Sequence, residues 1–255
     1  MLTPNERERY DRQTMMREIG EKGQEKLKRS RVAIAGGGGL GSPIALYLAA
    51  AGVGTLRMID HDRVSLSNLN RQVLHWEGDI GRKKVNSAGT KLKKFNSAVQ
   101  IEAIAKTITE DNASTLLEGC DAIVDAMDNL PSRYILNRCA IEKKIPFFHG
   151  AVNGFEGRAM TILPGKSACL RCMYRGSIPQ EKFPVIGVTP AVIGCIQATE
   201  VIKYLLGIGQ LLINRLLLYD GLELTFNEFT VLRNPECDHC GSLSTPLLPG
   251  AGQKE

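Results

Sequence analysis

Asp60, Asp62, Asn68, Arg71 and Gln72 stand within thirteen residues, in the run DHDRVSLSNLNRQ. Acids, amides and an arginine at that density suit a phosphorylated ligand, because a guanidinium neutralises phosphate oxygens through a planar fork while an amide or carboxylate beside it fixes ribose and purine. A glycine turn precedes them. Gly36, Gly38 and Gly41 fall at GxGxxG spacing in GGGGLGSP, with Gly39 among them. Only glycine lets backbone N–H groups approach a phosphate that closely, and a helix start adds about half a unit of positive charge. Val32 to Ala35 reads as a buried strand before the turn, and Ser42 and Pro43 are expected to cap and open the helix after it. Asp60 ends the next apolar run, Thr55 to Ile59, nineteen residues beyond Gly41, where a nucleotide-binding fingerprint expects a carboxylate for a ribose hydroxyl.

Two further clusters carry chemistry. Asp125 and Asp128 in DAMDN follow the strand Ala122 to Ala126, at the strand end that faces the same crevice. With Asn129 they suit Mg²⁺, which takes one or two carboxylates and leaves its other positions to phosphate and water. Asn129 equally suits a helix cap before Pro131, and Asp125 equally suits a place inside the fold. Cys169 with Cys172 and Cys237 with Cys240 form two CxxC pairs. Four thiolates so arranged make a closed, tetrahedral structural zinc site. A redox CxxC opens a helix in a thioredoxin-like unit, which neither pair does. Cys120, Cys139 and Cys195 read as small core residues.

The elements that must position these groups alternate. Residues 1–29 form a charged helical arm, with helix over 5–29; strands are expected near 31–35, 54–60, 99–104, 121–126 and 146–151, and helices over 43–51, 82–95, 109–118 and 131–143. That order means an α/β fold, a Rossmann-like, doubly wound and mostly parallel sheet. Beyond Gly150, strands over Phe155 to Leu163, Arg215 to Tyr219 and Leu224 to Leu232 surround one long helix near 189–206 and are expected to extend the sheet antiparallel. Residues 30–241 then form one domain, with a nucleotide half over 30–150 and a partner-binding, metal-holding half over 151–241. The Pro-, Gly- and Ser-rich tail, 242–255, reads as mobile.

The 255 residues are 43% hydrophobic, enough for a substantial core. No apolar run approaches the roughly 20 residues that span a bilayer, and the polar N-terminus reads as no signal peptide, so the expectation is a cytoplasmic protein. The charge of +5, from 32 basic and 27 acidic residues, is too modest to imply nucleic acid without a motif, and is compatible with an acidic protein partner.

Together, RYDRQ (Arg9 to Gln13), GGGGLGSP, DHDRVSLSNLNRQ, GRKK (Gly81 to Lys84), DAMDN and the two CxxC pairs resemble the ubiquitin-activating-enzyme-like adenylyltransferases, specifically the MoeB, ThiF and HesA group. The matches run from Arg9 to Gly241 in family order. The resemblance implies that Lys84, with Lys83 as fallback, reaches the triphosphate of ATP, that Asp128 is the Mg²⁺ acid, and that Arg12 comes from the neighbouring subunit of a homodimer. It implies adenylation: a carboxylate, the C-terminal Gly-Gly of a small ubiquitin-fold sulfur carrier of the ThiS or MoaD kind, attacks the α-phosphorus and pyrophosphate leaves. A carboxylate is already ionised at neutral pH, so no general base is required. Asp60 and Asn68 would hold the nucleoside, and Arg71, Lys84, Arg12 and the Asp128 metal the phosphates. Several relatives carry a cysteine in the loop corresponding to Met173 to Ile186. None stands there, and Cys195 lies inside the following helix, so the expectation is adenylation without a covalent thioester. Two alternatives stay open: an NAD-dependent oxidoreductase, for which Arg71, Lys84 and Asp128 would be unexplained, and a relative that adenylates a small carboxylate on tRNA.

Overall fold

The structure, a computed structural model, describes residues 1–174 and 183–241. The expected alternation is present as β1 (Arg31–Ala35), α4 (Gly41–Ala50), β2 (Thr55–Ile59), α5 (Lys84–Phe95), β3 (Gln100–Ile104), α6 (Glu110–Leu116), β4 (Ala122–Asp125), α7 (Leu130–Lys143) and β5 (Phe147–Asn153), preceded by α1 (Pro4–Arg9), α2 (Asp11–Thr14) and α3 (Gly20–Arg29). These five strands pair in parallel. Then β6 (Glu156–Ile162), β7 (Arg215–Asp220) and β8 (Thr225–Thr230) continue the same sheet antiparallel. The order is β3-β2-β1-β4-β5-β6-β7-β8. Because the chain leaves β1 first toward β2 and later returns to β4, the crevice beyond the ends of β1 and β4 is the switch point where such sheets take ligands.

Helices α8 (Leu170–Met173) and α9 (Val188–Leu206) complete the layers. Alternate residues of β1 point to opposite faces and both are buried: Val32 and Ile34 pack with Leu48, Leu92 and Val201, whereas Ala33 and Ala35 pack with Leu117, Leu136 and the cysteine cluster. Each fully buried Leu or Ile stabilises the sheet by about 1.5–3 kcal/mol. Cys120 and Cys139 lie in the second layer, as expected of small core residues. Among the described residues no helix is long and apolar enough to cross a membrane.

Local boundaries differ in instructive ways. The arm is three helices, because Tyr10 turns inward to 3% exposure and Gly20 takes φ +56. Ser42 does not cap α4: the chain already coils at Gly38, whose carbonyl accepts the Ser42 amide at 2.9 Å, and Leu40 is the cap residue. The Ser42 hydroxyl is buried without a partner among the described residues. Gly154 at φ +57 and Phe155 form the tight turn into β6, and Leu224 at φ +53 precedes β8, which trims both expected strands. The expected mobile tail and residues 175–182 of the cysteine-free loop lie outside the described residues.

Candidate active site

Two of the glycines are required by the backbone itself. Gly36 adopts φ +106 and a Cβ there would stand 2.4 Å from the Ala126 carbonyl oxygen; at Gly41 it would stand 2.0 Å from that of Gly36. Gly38 is different. A Cβ there would meet only the Gln72 amide, at 3.6 Å, and the amides of Gly38, Gly39 and Leu40 donate no hydrogen bond among the described residues. The turn therefore offers unpaired donors and open space at the head of α4, which is what an anion cradle requires.

The polar residues converge on this turn. Asp60 Oδ2 accepts the Gly37 amide at 2.7 Å and Oδ1 accepts the Asp62 amide at 2.7 Å, so the carboxylate at the end of β2 is fixed beside the glycines. Arg71 Cγ lies 3.5 Å from the Cβ position of Gly39. Its guanidinium donates to the Ser67 carbonyl and Asn70 Oδ1, both at 2.9 Å, and has no ion pair among the described residues. Helix α9 holds it there: a Cβ on Gly187 would lie 2.4 Å from the Asn70 carbonyl, and Pro190 packs 3.3 Å from the Gly39 position. Asn68 caps its own turn, accepting the Ser65 amide at 3.1 Å.

Lys84 opens α5 and is buried to 6% exposure, with Nζ 2.8 Å from Asp62 Oδ2. It is not a solvated helix lysine. Desolvation raises the Asp62 carboxyl, but the hydrogen bond and charge of Lys84 bring it below its ordinary range. Lys83, the fallback, donates instead to the His61 carbonyl. His75 carried no sequence signal, yet it is 3% exposed and supports the cradle: Nε2 lies 2.9 Å from the Gly37 carbonyl and Nδ1 2.9 Å from Ser87 Oγ. Burial pushes its pKa down, so the ring is neutral and Nε2 carries the donated proton. Gln72, against Gly38, is buried with Oε1 unpartnered among the described residues.

Beyond β4 the two acids part. Asp128 is exposed beside the crevice, its Oδ1 accepting from Asn129 Nδ2 at 3.2 Å. Asp125 is fully buried and its oxygens take the Met127 amide, His149 and Arg133, so it points into the fold. Asn129 caps α7 by accepting the Ser132 amide at 3.0 Å, the alternative its sequence position also suited.

Arg12 is not brought to this site. It is exposed on α2, whose neighbours Tyr10 and Gln13 bind Asn96 and Ala51, the residues that end α5 and α4. Both helices begin at the crevice, so the ten residues of α4 alone put Arg12 about 15 Å away in the same chain.

The four cysteines do meet. Cys169 and Cys172 are 3.9 Å apart at sulfur, Cys169 and Cys237 3.6 Å, and Cys172 and Cys240 3.5 Å, with all four buried. Disulfides require about 2.05 Å. Sulfurs about 2.3 Å from a tetrahedral ion stand roughly 3.8 Å from one another, so the donor set fits such an ion without rearrangement. Cys195, expected in the core, is instead only half-buried on α9, outside both core clusters, and desolvation still pushes its thiol up, away from the ionisation a nucleophile needs.

The ThiF family pattern matches residues 10–239. The SAMP-activating enzyme E1 of Haloferax volcanii is 42% identical over 246 residues, covering 94% of this chain and 91% of the relative. The sulfur carrier protein adenylyltransferase of Thermus thermophilus is 41% identical over 254 residues, covering 95% and 94%. Among solved structures, E. coli MccB with ATP is 25% identical with a TM-score of 0.79, covering 86% of this chain and 69% of that one.

Proposed function

This chain belongs to the ThiF family and is an adenylyltransferase, and from that premise we propose that it activates the C-terminal Gly-Gly carboxylate of a small ubiquitin-fold sulfur carrier as an acyl-adenylate. The observation that carries the reading is the buried Lys84, charge-balanced by Asp62, set against a glycine turn whose Gly38, Gly39 and Leu40 amides donate no hydrogen bond among the described residues. An anionic chain of phosphates supplies what those donors lack. Solved MccB with ATP supports the same ligand class.

In this reading Asp60 holds the ribose, with Asn68 offering to the nucleotide its side-chain N–H groups, which donate no hydrogen bond among the described residues. Gly38, Gly39 and the head of α4 cradle the phosphates. Arg71 and Lys84 neutralise charge growing on the departing pyrophosphate, an effect worth about 2.7–4 kcal/mol per contact. The exposed Asp128 is the side chain that would hold Mg²⁺, which when bound would supply charge neutralisation to the phosphates. The four thiolates would hold zinc, which would clip the Cys237–Cys240 loop to α8 in a structural role. Arg12, remote in its own chain, fits delivery to the second subunit of a homodimer. The half over 151–241 takes the carrier, where Phe226 and Phe229 on β8 are more than half exposed. With no cysteine between Met173 and Ile186 and a half-buried Cys195 whose thiol is pushed up by desolvation, the carrier leaves as adenylate for a separate sulfur donor.

An NAD-dependent oxidoreductase would leave without a task the buried Lys84 and the Arg71 guanidinium, which has no ion pair among the described residues. Labelled pyrophosphate exchange into ATP, run with a Gly-Gly carrier, tests the proposal. It is expected to require that carrier and to fall about a hundredfold or more in Asp128→Ala and Arg71→Ala. Exchange supported by tRNA instead of the carrier, or unchanged in both variants, refutes it.

A further inference from the structure

The wholly buried pair of Asp125 and His149 has no part in the chemistry above. Asp125 Oδ2 lies 2.7 Å from His149 Nδ1, and neither side chain is exposed. A carboxylate only accepts, so Nδ1 carries the proton; burial holds the ring's pKa down, and the neutral ring keeps Nε2 as an acceptor. The Tyr174 hydroxyl is 3.4 Å from that Nε2, with the two rings edge to face at 5.7 Å. A single line of hydrogen bonds therefore runs from Tyr174 O–H to His149 and from His149 N–H to Asp125.

Its two ends matter. At the inner end Asp125 Oδ1 accepts the Met127 amide at 3.1 Å, and Arg133 Nε donates to the Met127 carbonyl at 3.2 Å while standing 3.4 Å from Asp125 Oδ2. Met127 is thus gripped at both its amide and its carbonyl, and Asp128 is the next residue. At the outer end Tyr174 closes α8 two residues beyond Cys172, its own carbonyl accepting the Tyr134 hydroxyl at 3.1 Å. Burying so many polar groups adds little stability over an apolar packing of the same volume, whereas it fixes a backbone in one place.

Resting on the reading of Asp128 as the metal acid, we propose that His149 and Tyr174 are positioning residues that set the Met127–Asp128 turn from the four-cysteine side of the fold. They touch neither nucleotide nor metal. They hold the Met127 backbone that carries Asp128, the side chain that would hold Mg²⁺.

The test titrates Mg²⁺ against full-length protein and α,β-methylene-ATP by calorimetry, with nucleotide affinity in EDTA and melting temperature measured beside it. Tyr174→Phe removes only the hydroxyl. His149→Asn keeps an amide donor for Asp125 and loses the acceptor facing Tyr174. Each is expected to raise the half-saturating Mg²⁺ concentration about threefold to tenfold, the size of one hydrogen bond, while binding in EDTA is unchanged. The double variant is expected to shift no further than either single one, because both cut the same line. Asp128→Ala is the reference. If it shifts the Mg²⁺ dependence and the other two do not, or if they weaken binding equally with and without Mg²⁺, the positioning role is overturned and Asp128 keeps its own. If Asp128→Ala leaves the Mg²⁺ dependence unchanged, the assignment of Asp128 fails and the positioning role fails with it.

Discussion

Replacing Gly38 by alanine separates the cradle from the scaffold. Gly38 is not one of the positive-φ glycines, and an added Cβ meets only Gln72 Nε2 at 3.6 Å and Cδ at 3.9 Å, ordinary contact distances. The fold therefore accepts the methyl, and reduced freedom of the unfolded chain stabilises Gly38→Ala by about 0.4–1 kcal/mol, a melting shift of roughly 1–4 °C upward. Ligand binding goes the other way. The methyl occupies the space over the turn's unpaired amides, and losing one hydrogen bond to a charged phosphate costs about 1.5–3 kcal/mol, so Mg·ATP binds roughly 10- to 150-fold more weakly. Gly36→Ala and Gly41→Ala are the contrast, because their Cβ atoms would sit 2.4 Å and 2.0 Å from carbonyl oxygens and the turn itself would give way. Calorimetry with Mg·ATP and a thermal melt on each variant decide the matter. Binding by Gly38→Ala within about twofold of the parent, at an unchanged or raised melting temperature, would refute the phosphate cradle.

Lys84→Met keeps the length of the side chain and removes its charge; pyrophosphate exchange is expected to fall about 100- to 1,000-fold, whereas Lys83→Met, at the neighbour that donates to the His61 carbonyl, leaves it unchanged. Elemental analysis is expected to find one zinc per chain, and Cys172→Ser to lose it and melt at least about 5 °C lower; disulfides found in place of zinc would defeat the tetrathiolate. Desolvation pushes Asp79 up, but Lys91, the Trp76 amide and Ser87 hold its pKa at about 2 against 3.8 unperturbed. This depressed acid stabilises the fold above about pH 4 and ceases to as pH falls toward 2, a loss on the order of 2 kcal/mol that acid titration of Asp79→Asn should lack.

What the sequence displays is whatever lies close together along it. The glycine turn, Asp60, Arg71 and the paired cysteines are each short patterns whose spacing encodes their geometry; the structure sets Asp60 and Arg71 beside the turn and gathers the four cysteines into a cluster of their own. His75, His149 and Tyr174 are single residues, and nothing local distinguishes a histidine that props a glycine carbonyl from one that fills a core. Their meaning comes from partners 38, 24 and 25 positions away. Asp125 could not be oriented from strand alternation, because all four residues of β4 are buried and both faces read alike. Ser42 misled for the opposite reason: its local pattern suits a cap, but the preceding glycines start the coil earlier. Lys84 is legible only through family resemblance, since its burial depends on Asp62 and on the turn above it.

Helices α4, α5 and α7 all point their amino ends toward one crevice, beginning at Gly41, Lys84 and Leu130. Their aligned peptide dipoles give that opening a positive potential before any guanidinium or ammonium group is counted, and walls of low polarizability focus it outward. A multiply charged anion is consequently drawn in from beyond contact range. Raising ionic strength slows its capture and leaves its residence time largely untouched, since the field that recruits it is screened within about 10 Å whereas the contacts that retain it are not.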